Sequence, residues 1–195
     1  ILGDDQWSWL VEVMKIKSDL TIVATSIQLL ATEHRFEKWS NFPSDHLKLK
    51  KLLKSQSRPI VVISGDRHQG AIYNDQNIYE ITSSSLNKTI SSIFRRPKEV
   101  DKYMLGDMFS GENYGLITIN TVEKIIDLEI KDINSVYVNR GPGSYAGIRN
   151  SLSIAKAINL AKKIDYYCYS FEDFKGVHKI EYENIPDLCN KFKVK

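Results

Sequence analysis

Helix-like and strand-like segments alternate over residues 1–64 of the chain. Residues 4–16 carry apolar side chains at spacings of three and four, which predicts an amphipathic helix. The β-branched run at residues 20–27 predicts a buried strand. A second helix is predicted for residues 47–54 and a second strand for residues 59–64, with a long loop between the first strand and the second helix. This order predicts an α/β layered fold.

The pattern then changes to short strands, which are predicted at residues 71–74 and 77–84. Alternating apolar residues at 113–120 and 124–132 predict an antiparallel hairpin that closes a sheet edge. The basic and polar segment before this hairpin is predicted to be an exposed excursion. From Ile133 onward the sequence predicts a strand, a glycine-rich turn, and a helix at residues 148–163 with Ile148 and Leu160 on one side, followed by a further strand.

Composition excludes some classes of function. The chain has 195 residues, 42% of them hydrophobic and 26% charged, and a net charge of +3. This charge is too small to indicate a nucleic-acid partner, so we expect no direct nucleic-acid binding. No apolar run is long enough to span a membrane. The N-terminus has neither a methionine nor the pattern of a signal peptide, so we expect the chain to be cut from a longer one. Cys168 and Cys189 are expected to be free thiols.

Asp66 and His68 directly follow the second predicted strand, in the stretch VVISGDRHQG. In an extended segment residues two apart point to the same side, so this pair could aim a carboxylate and an imidazole into one volume. Such ligands suit iron, manganese, zinc or a mixed pair of metals. The alternative is a solvated turn held by a side-chain hydrogen bond. Arg67 is expected to point away from the pair, and His46 and His178 are expected on the surface.

A series of motifs resembles the C-terminal half of the PhoD-like alkaline phosphatases, a bacterial branch of the metallophosphoesterases. The matching strings, in order, are LGDDQWSWL, SIQLLATEHRFEKWSNFPSDHLKLKKLL, VVISGDRHQGAIY, SSSL, and ENYGLITIN with IDLEIKD. The resemblance implies a metallophosphoesterase-like layered β-sandwich with flanking helices, and a hydrolase with two metal ions, which could be iron, calcium, manganese or zinc. The substrate would be a phosphomonoester or phosphodiester.

The same resemblance implies roles for individual residues. Asp66 corresponds to a metal ligand, and His68 to a second ligand or a contact to phosphate, which makes both candidate catalytic residues. Arg67, between them, is a candidate substrate contact. His34 and Trp39 resemble walls of the substrate pocket, with packing beneath a loop as the alternative.

The early motifs of such an enzyme are absent before Asp66, namely a DxH, a GDxxD and an Asn-His pair. One aspartate and one histidine do not hold two metals. We therefore expect weak or no phosphatase activity unless a missing N-terminal half completes the site for its phosphoester substrate. Phosphatases of this family are usually exported.

A second resemblance begins near Ile133. Residues 133–174 are similar to TsaB-type proteins, whose GPGSFTGxR loop precedes a long helix in an actin-like (ASKHA) domain. The residues that carry the similarity are Gly141, Pro142, Gly143, Ser144, Gly147 and Arg149. Tyr145 and Ala146 replace the usual Phe and Thr. The resemblance implies a cytoplasmic, non-catalytic protein partner in making threonylcarbamoyladenosine in tRNA. The alternative is a strand-to-helix turn that simply needs glycine.

The two partial resemblances meet near Asp132, which predicts a PhoD-like portion at residues 1–132 and a TsaB-like strand-turn-helix fragment with a polar tail at residues 133–195. Three hypotheses follow. The chain could be part of a metal-dependent phosphoester hydrolase, a module that docks to a partner protein, or a chimeric or truncated reading frame without function.

Overall fold

The computed structural model describes residues 2–86, 89, 101–141, 144–177 and 180–193; the side chains of residues 145, 161, 162 and 182 are not described. Pro142, Gly143 and His178 lie outside the described residues. The chain divides into two compact units, Ile1–Asp132 and Ile133–Lys195. This division falls where the sequence pattern changes. None of the described helices is long and apolar enough to cross a membrane.

The first unit contains two helices and seven strands among its described residues. Its elements are α1 (Asp4–Met14), β1 (Thr21–Ala24), a 3-10 turn (Trp39–Asn41), α2 (Pro43–Lys54), β2 (Ile60–Ser64), β3 (Gly70–Asp75), β4 (Ile78–Ser83), β5 (Met104–Phe109), β6 (Asn113–Asn120) and β7 (Ile125–Asp132). Helix α2 begins earlier than predicted because Pro43 occupies its first turn, where the missing N–H is not needed.

Five strands form one mixed sheet in the order β1-β2-β4-β3-β5. Strands β1, β2 and β4 are parallel, whereas β3 is antiparallel to both β4 and β5. Strand β5 lies in the described part of the segment predicted to be an exposed excursion. It has no buried residue, but it pairs with β3, so the prediction missed a strand. The weak alternation of this segment hid the strand, because β5 is an edge strand in which no residue is buried.

One face of this sheet packs against the helices and the segment between β1 and α2. Ile60, Val62, Tyr73 and Ile78 point to this face and are almost fully buried. The other members of this core are Trp7, Met14, Leu29, Leu30, Ala31, Trp39, Leu49, Leu53 and Ala71. The segment after β1 is irregular, as predicted, but much of it is buried.

Strands β6 and β7 form the predicted antiparallel hairpin, but as a separate two-stranded sheet. A Cβ atom on Gly70 in β3 would lie 2.8 Å from Ile130 Cγ2 of β7, and one on Gly115 in β6 would lie 3.1 Å from Ile81 Cδ1 of β4. The hairpin therefore lies against the second face of the five-stranded sheet. The prediction that it closes a sheet edge was wrong, because its apolar residues pack onto that face instead.

The second unit contains β8 (Ser135–Asn139), α3 (Tyr145–Lys162), β9 (Asp165–Tyr169), two 3-10 turns and α4 (Ile185–Lys191). Strands β8 and β9 are parallel and α3 connects them. Ala155 and Ile158 of α3 are buried, but Leu160 is 75% exposed. The prediction that Leu160 shares the buried side was wrong, because Leu160 lies about 160° around the helix from the buried Ile158. A separate core contains Tyr169, Phe174, Ile185, Leu188 and Cys189.

Candidate functional site

The candidate site lies in the turn that follows β2. Strand β2 ends at Ser64, and Asp66 and His68 both have left-handed backbones with φ of 65° and 53°. Asp66 is exposed and His68 is half-buried. The extended geometry that would place the two side chains on one side of a strand is therefore absent. Left-handed conformations cost energy in residues other than glycine and often accompany functional sites.

Arg67 is buried in this turn, with 4% of its surface exposed. Its guanidinium lies over the Phe36 ring, with the Cζ atom 4.9 Å from the ring centroid. The ring of His34 also packs against the Phe36 ring, in a tilted arrangement with ring centroids 6.2 Å apart. The structure thus brings Arg67 together with His34, two residues that the sequence placed in a substrate pocket.

His34 is 5% exposed and its hydrogen bonds define its tautomer. The backbone N–H of Phe36 donates to Nδ1 at 3.1 Å, so the proton of the neutral ring is on Nε2. Nε2 has no hydrogen-bond partner among the described residues. Burial, then Arg67 and Lys38, lowers the pKa of His34 to about 3. At neutral pH His34 is therefore an uncharged hydrogen-bond donor, and this tautomer leaves neither nitrogen free to bind a metal.

Two further buried charges hold the loop around His34. The Lys38 ammonium donates to the carbonyl of His34, and to Asn41 Oδ1 at 2.9 Å. The Asp101 carboxylate accepts from the backbone N–H groups of Thr32 at 2.6 Å and Glu33 at 3.0 Å. Neither charged residue was a sequence-predicted site residue. Both lie in segments without periodicity, so only their tertiary contacts reveal their role.

Glu80 is a fully buried carboxylate in the centre of β4. It accepts from the backbone N–H groups of Leu29 at 2.8 Å and Leu30 at 2.6 Å, and so fastens the buried segment after β1 to the sheet. Burial raises the pKa of the Glu80 carboxyl, while hydrogen bonds from Ser64 and the two amides oppose the rise. The sequence analysis did not identify Glu80, although a charge inside the β-branched stretch IYEIT was a usable signal.

Trp39 and His46 make hydrogen bonds and packing contacts inside the first unit. The Trp39 Nε1–H group donates to Thr25 Oγ1 at 2.9 Å, and the ring belongs to the main core. His46 Nε2 lies 2.8 Å from the carbonyl oxygen of Leu29, and the residue is 8% exposed. The prediction that His46 is a surface residue was wrong, because its ring bonds the buried loop rather than solvent.

The residues present do not fit a complete metal centre. Among the described residues no group of three or more His, Cys, Asp or Glu side chains is placed to hold a metal ion. Asp66 and His68 would supply one carboxylate and one imidazole, whereas a catalytic zinc site has three protein ligands and a two-metal site needs more. These two side chains alone therefore cannot hold a catalytic metal pair.

The glycine-rich loop of the second unit is described in part. Gly141 has φ of 146°, and the Ser144 hydroxyl accepts from the Gly147 N–H at 3.1 Å, as an N-terminal cap of α3. Arg149 is exposed on the first turns of that helix. This geometry is that of a capped strand-to-helix connection.

A comparison with solved structures gives a distant similarity. No family model and no curated protein matches the chain. Among solved structures, the structure of PhoD is similar at 20% identity and a TM-score of 0.38, over 43% of this chain and 20% of that chain. The chain thus spans about one fifth of the PhoD chain that it matches. A similarity of this size carries no argument about the site.

The left-handed backbone of His68 leads to a testable prediction about stability. The free energy of unfolding of His68→Gly should be about 1 kcal/mol higher than that of His68→Ala, because glycine adopts positive φ without a Cβ penalty. Both variants lose the imidazole equally, so their difference isolates the backbone. Urea titration followed by tryptophan fluorescence measures the difference in free energy of unfolding between the two variants.

The matched control is Leu47, an exposed residue of α2. There the order should reverse, with Leu47→Gly about 1 kcal/mol less stable than Leu47→Ala. Alanine and glycine variants of equal stability at His68 would show that the turn relaxes without strain.

Proposed function

We propose that the first unit is part of a metal-dependent phosphoester hydrolase of the PhoD type. In this proposal Asp66 and His68 contribute metal ligands or phosphate contacts from the turn after β2, and a missing N-terminal half completes the centre. The observation that carries the proposal is this turn. It combines the SGDRH motif with two left-handed, non-glycine residues at the end of a buried central strand.

The neighbouring residues support a phosphoester rather than a cationic substrate. Arg67 is a permanent cation, and His34 presents a buried N–H group beside it. Such donors can stabilise negative charge on phosphoryl oxygens. Trp39 has no part in this proposal, because its indole N–H is already bonded to Thr25 within the core. Asp66, His68, Arg67 and His34 therefore form the proposed site.

Activity and metal binding together test the proposal. With manganese or zinc, the 195-residue chain should hydrolyse p-nitrophenyl phosphate and bis-p-nitrophenyl phosphate no faster than a metal-only blank, because two ligands cannot fix a metal pair. Weak metal binding should still occur, and Asp66→Asn should reduce its affinity about tenfold. Asparagine is chosen because it tolerates positive φ.

Asp107→Asn, which removes an exposed carboxylate from β5, is the matched control and should leave metal affinity unchanged. Equal affinities of wild type and Asp66→Asn would refute the ligand role. Metal-dependent hydrolysis by the chain alone, abolished by His68→Ala, would show that it contains a complete site.

For the second unit, we propose a non-catalytic docking module of the TsaB type. The favouring observation is the parallel β8-α3-β9 connection, together with Ile154 and Leu160 of α3, which are 55% and 75% exposed. The genomic sequence upstream distinguishes the proposals. An actin-like half there would favour the docking module, whereas DxH and GDxxD motifs would favour the hydrolase.

A further inference from the structure

Phe36 is an exposed aromatic residue in a loop whose other large apolar residues are mostly buried. It is 41% exposed, whereas Leu29, Leu30 and Trp39 of the same loop are at most 5% exposed. A single exposed phenylalanine is common on protein surfaces. Phe36, however, contacts the turn of the candidate site, because the Arg67 guanidinium lies over its ring. The exposed ring therefore lies beside the proposed phosphoester site.

The backbone of Phe36 is held by hydrogen bonds on both sides of the residue. Its N–H donates to His34 Nδ1 at 3.1 Å, and its carbonyl oxygen accepts from Asn41 Nδ2 at 3.3 Å. The buried Lys38 ammonium donates to the carbonyl of His34 and so anchors the preceding residues. A loop held in this way loses little further conformational freedom when a ligand binds. The Phe36 ring is thus a preorganised contact surface.

Two arginines lie against the Phe36 ring. The Cζ atom of Arg67 is 4.9 Å from the ring centroid, and that of Arg35 is 5.4 Å from it. Arg67 is almost fully buried and joins the ring to the turn, whereas Arg35 is exposed, so its side chain can move from the ring to an anion in solvent. Guanidinium groups bind phosphate through two parallel hydrogen bonds and also stack on aromatic rings. Phe36, Arg35 and Arg67, the Phe36 platform, therefore combine an aromatic surface with positive charge.

The Phe36 platform fits a phosphoester whose organic group is a planar aromatic ring. A nucleobase can stack on one exposed aromatic side chain, because every base has a π-face, and arginine contributes to the same stack. An alkyl chain needs a continuous apolar surface, but the residues on either side of Phe36 in the sequence, Arg35 and Glu37, are charged. The platform therefore favours a nucleoside phosphate over a lipid phosphate.

We propose that Phe36 is the substrate-contact residue that selects nucleoside monophosphates. The base stacks on the Phe36 ring, Arg35 bonds the phosphate, and the phosphate lies towards the turn after β2. The inference rests on the proposed function, because that function places the phosphate beside Asp66 and His68. It adds the class of the organic group and the residue that recognises it.

Adenosine 5′-monophosphate and ribose 5-phosphate are the probes, because both carry the same phosphate and sugar and only the first has a base. Titrations of the isotope-labelled 195-residue chain, followed by NMR chemical shifts, measure both dissociation constants. Wild type should bind adenosine 5′-monophosphate about tenfold more tightly than ribose 5-phosphate, since stacking on one aromatic side chain has an effect of this size.

Phe36→Leu should bind the two probes with equal affinity, because leucine keeps an apolar side chain but has no ring. The matched control is Phe42→Leu, at a residue that is 46% exposed and lies outside the Phe36 platform, and it should keep the tenfold preference. Circular dichroism checks that both variants fold. No binding of adenosine 5′-monophosphate by wild type, equal affinities for the two probes, a preference that Phe36→Leu retains, or tighter binding of octyl phosphate would each overturn the proposal.

Manganese titration of Asp66→Asn separates this proposal from the hydrolase proposal. Reduced metal affinity in Asp66→Asn, with no preference of wild type for the base, would support the hydrolase and refute the role of Phe36. A preference for the base that depends on Phe36, with metal affinity unchanged in Asp66→Asn, would support the Phe36 platform and refute the ligand role of Asp66.

Discussion

His34→Asn should make the first unit less sensitive to acid than the wild-type protein. Between pH 7 and pH 4 we expect the free energy of unfolding of wild type to fall roughly 3 kcal/mol further than that of the variant. Asparagine does not titrate, and its side-chain oxygen can still accept from the Phe36 N–H. Any cost of the lost ring is the same at every pH, so the difference in slope isolates the imidazole.

The direction of this pH dependence follows from the lowered pKa of His34. His34 has a pKa of about 3 in the folded chain against 6.5 as its ordinary value, because of burial and the charges of Arg67 and Lys38, with Asp101 opposing them. Between these values the unfolded chain binds the proton more tightly, so stability is fully present above pH 6.5 and is lost as pH falls towards 3. His46, with a lowered pKa, acts in the same direction, and Glu80, with a raised pKa, acts oppositely.

Tryptophan fluorescence is a selective measurement, because Trp7, Trp9 and Trp39 all belong to the first unit. Urea titrations at half-unit pH steps give the free energy of unfolding for both proteins. The His46 and Glu80 contributions are common to both and cancel in the difference. Parallel pH profiles for wild type and His34→Asn would contradict the buried, neutral His34.

Glu80→Ala should lower the free energy of unfolding by about 3 kcal/mol or more. The substitution leaves the N–H groups of Leu29 and Leu30 buried without an acceptor, at about 1–3 kcal/mol each, and adds a cavity in the centre of the sheet. Removal of a costly buried carboxyl offsets part of this loss. Urea titration gives the total change.

If Glu80→Ala does not fold, Glu80→Gln tests the same contact. Its amide oxygen can accept from one backbone N–H, but its NH₂ group faces the other, so a loss of about 1–2 kcal/mol is expected. Hydrogen exchange at Leu29 and Leu30 should become faster. Glu129→Ala, at a half-exposed carboxylate of β7, is the control and should change stability by less than about 0.5 kcal/mol. A loss below about 1 kcal/mol in Glu80→Ala would show that the loop is anchored elsewhere.

Periodicity predicted the elements that bury one continuous side. Helix α1, the three strands β2 to β4 and the β6-β7 hairpin form at or near their predicted positions, because their apolar residues repeat at the period of the element. Strand β5 was missed because an exposed edge strand shows no such repeat. The start of α2 was misplaced because Pro43, rather than a polar cap, begins it.

The candidate site, too, was predictable from the sequence only in part. The motif identified Asp66, Arg67 and His68 as a unit, and that identification needs only adjacent residues. The left-handed backbone of the turn and the burial of Arg67 against Phe36 could not be predicted, because they depend on a loop about 30 residues earlier in the chain. Glu80 and Asp101 were missed for the same reason, since each acts through backbone amides distant in sequence.

The sequence by itself determined the α/β character of the chain, the change of pattern near Asp132 and the position of the polar turn after β2, because all three depend on local order of residue types. Only the tertiary structure decided that the hairpin covers a sheet face instead of closing an edge, and that His34 is buried beside Arg67 with its pKa lowered. Both outcomes arise from contacts between distant segments, where burial and neighbouring charge set the energy and local pattern carries no information.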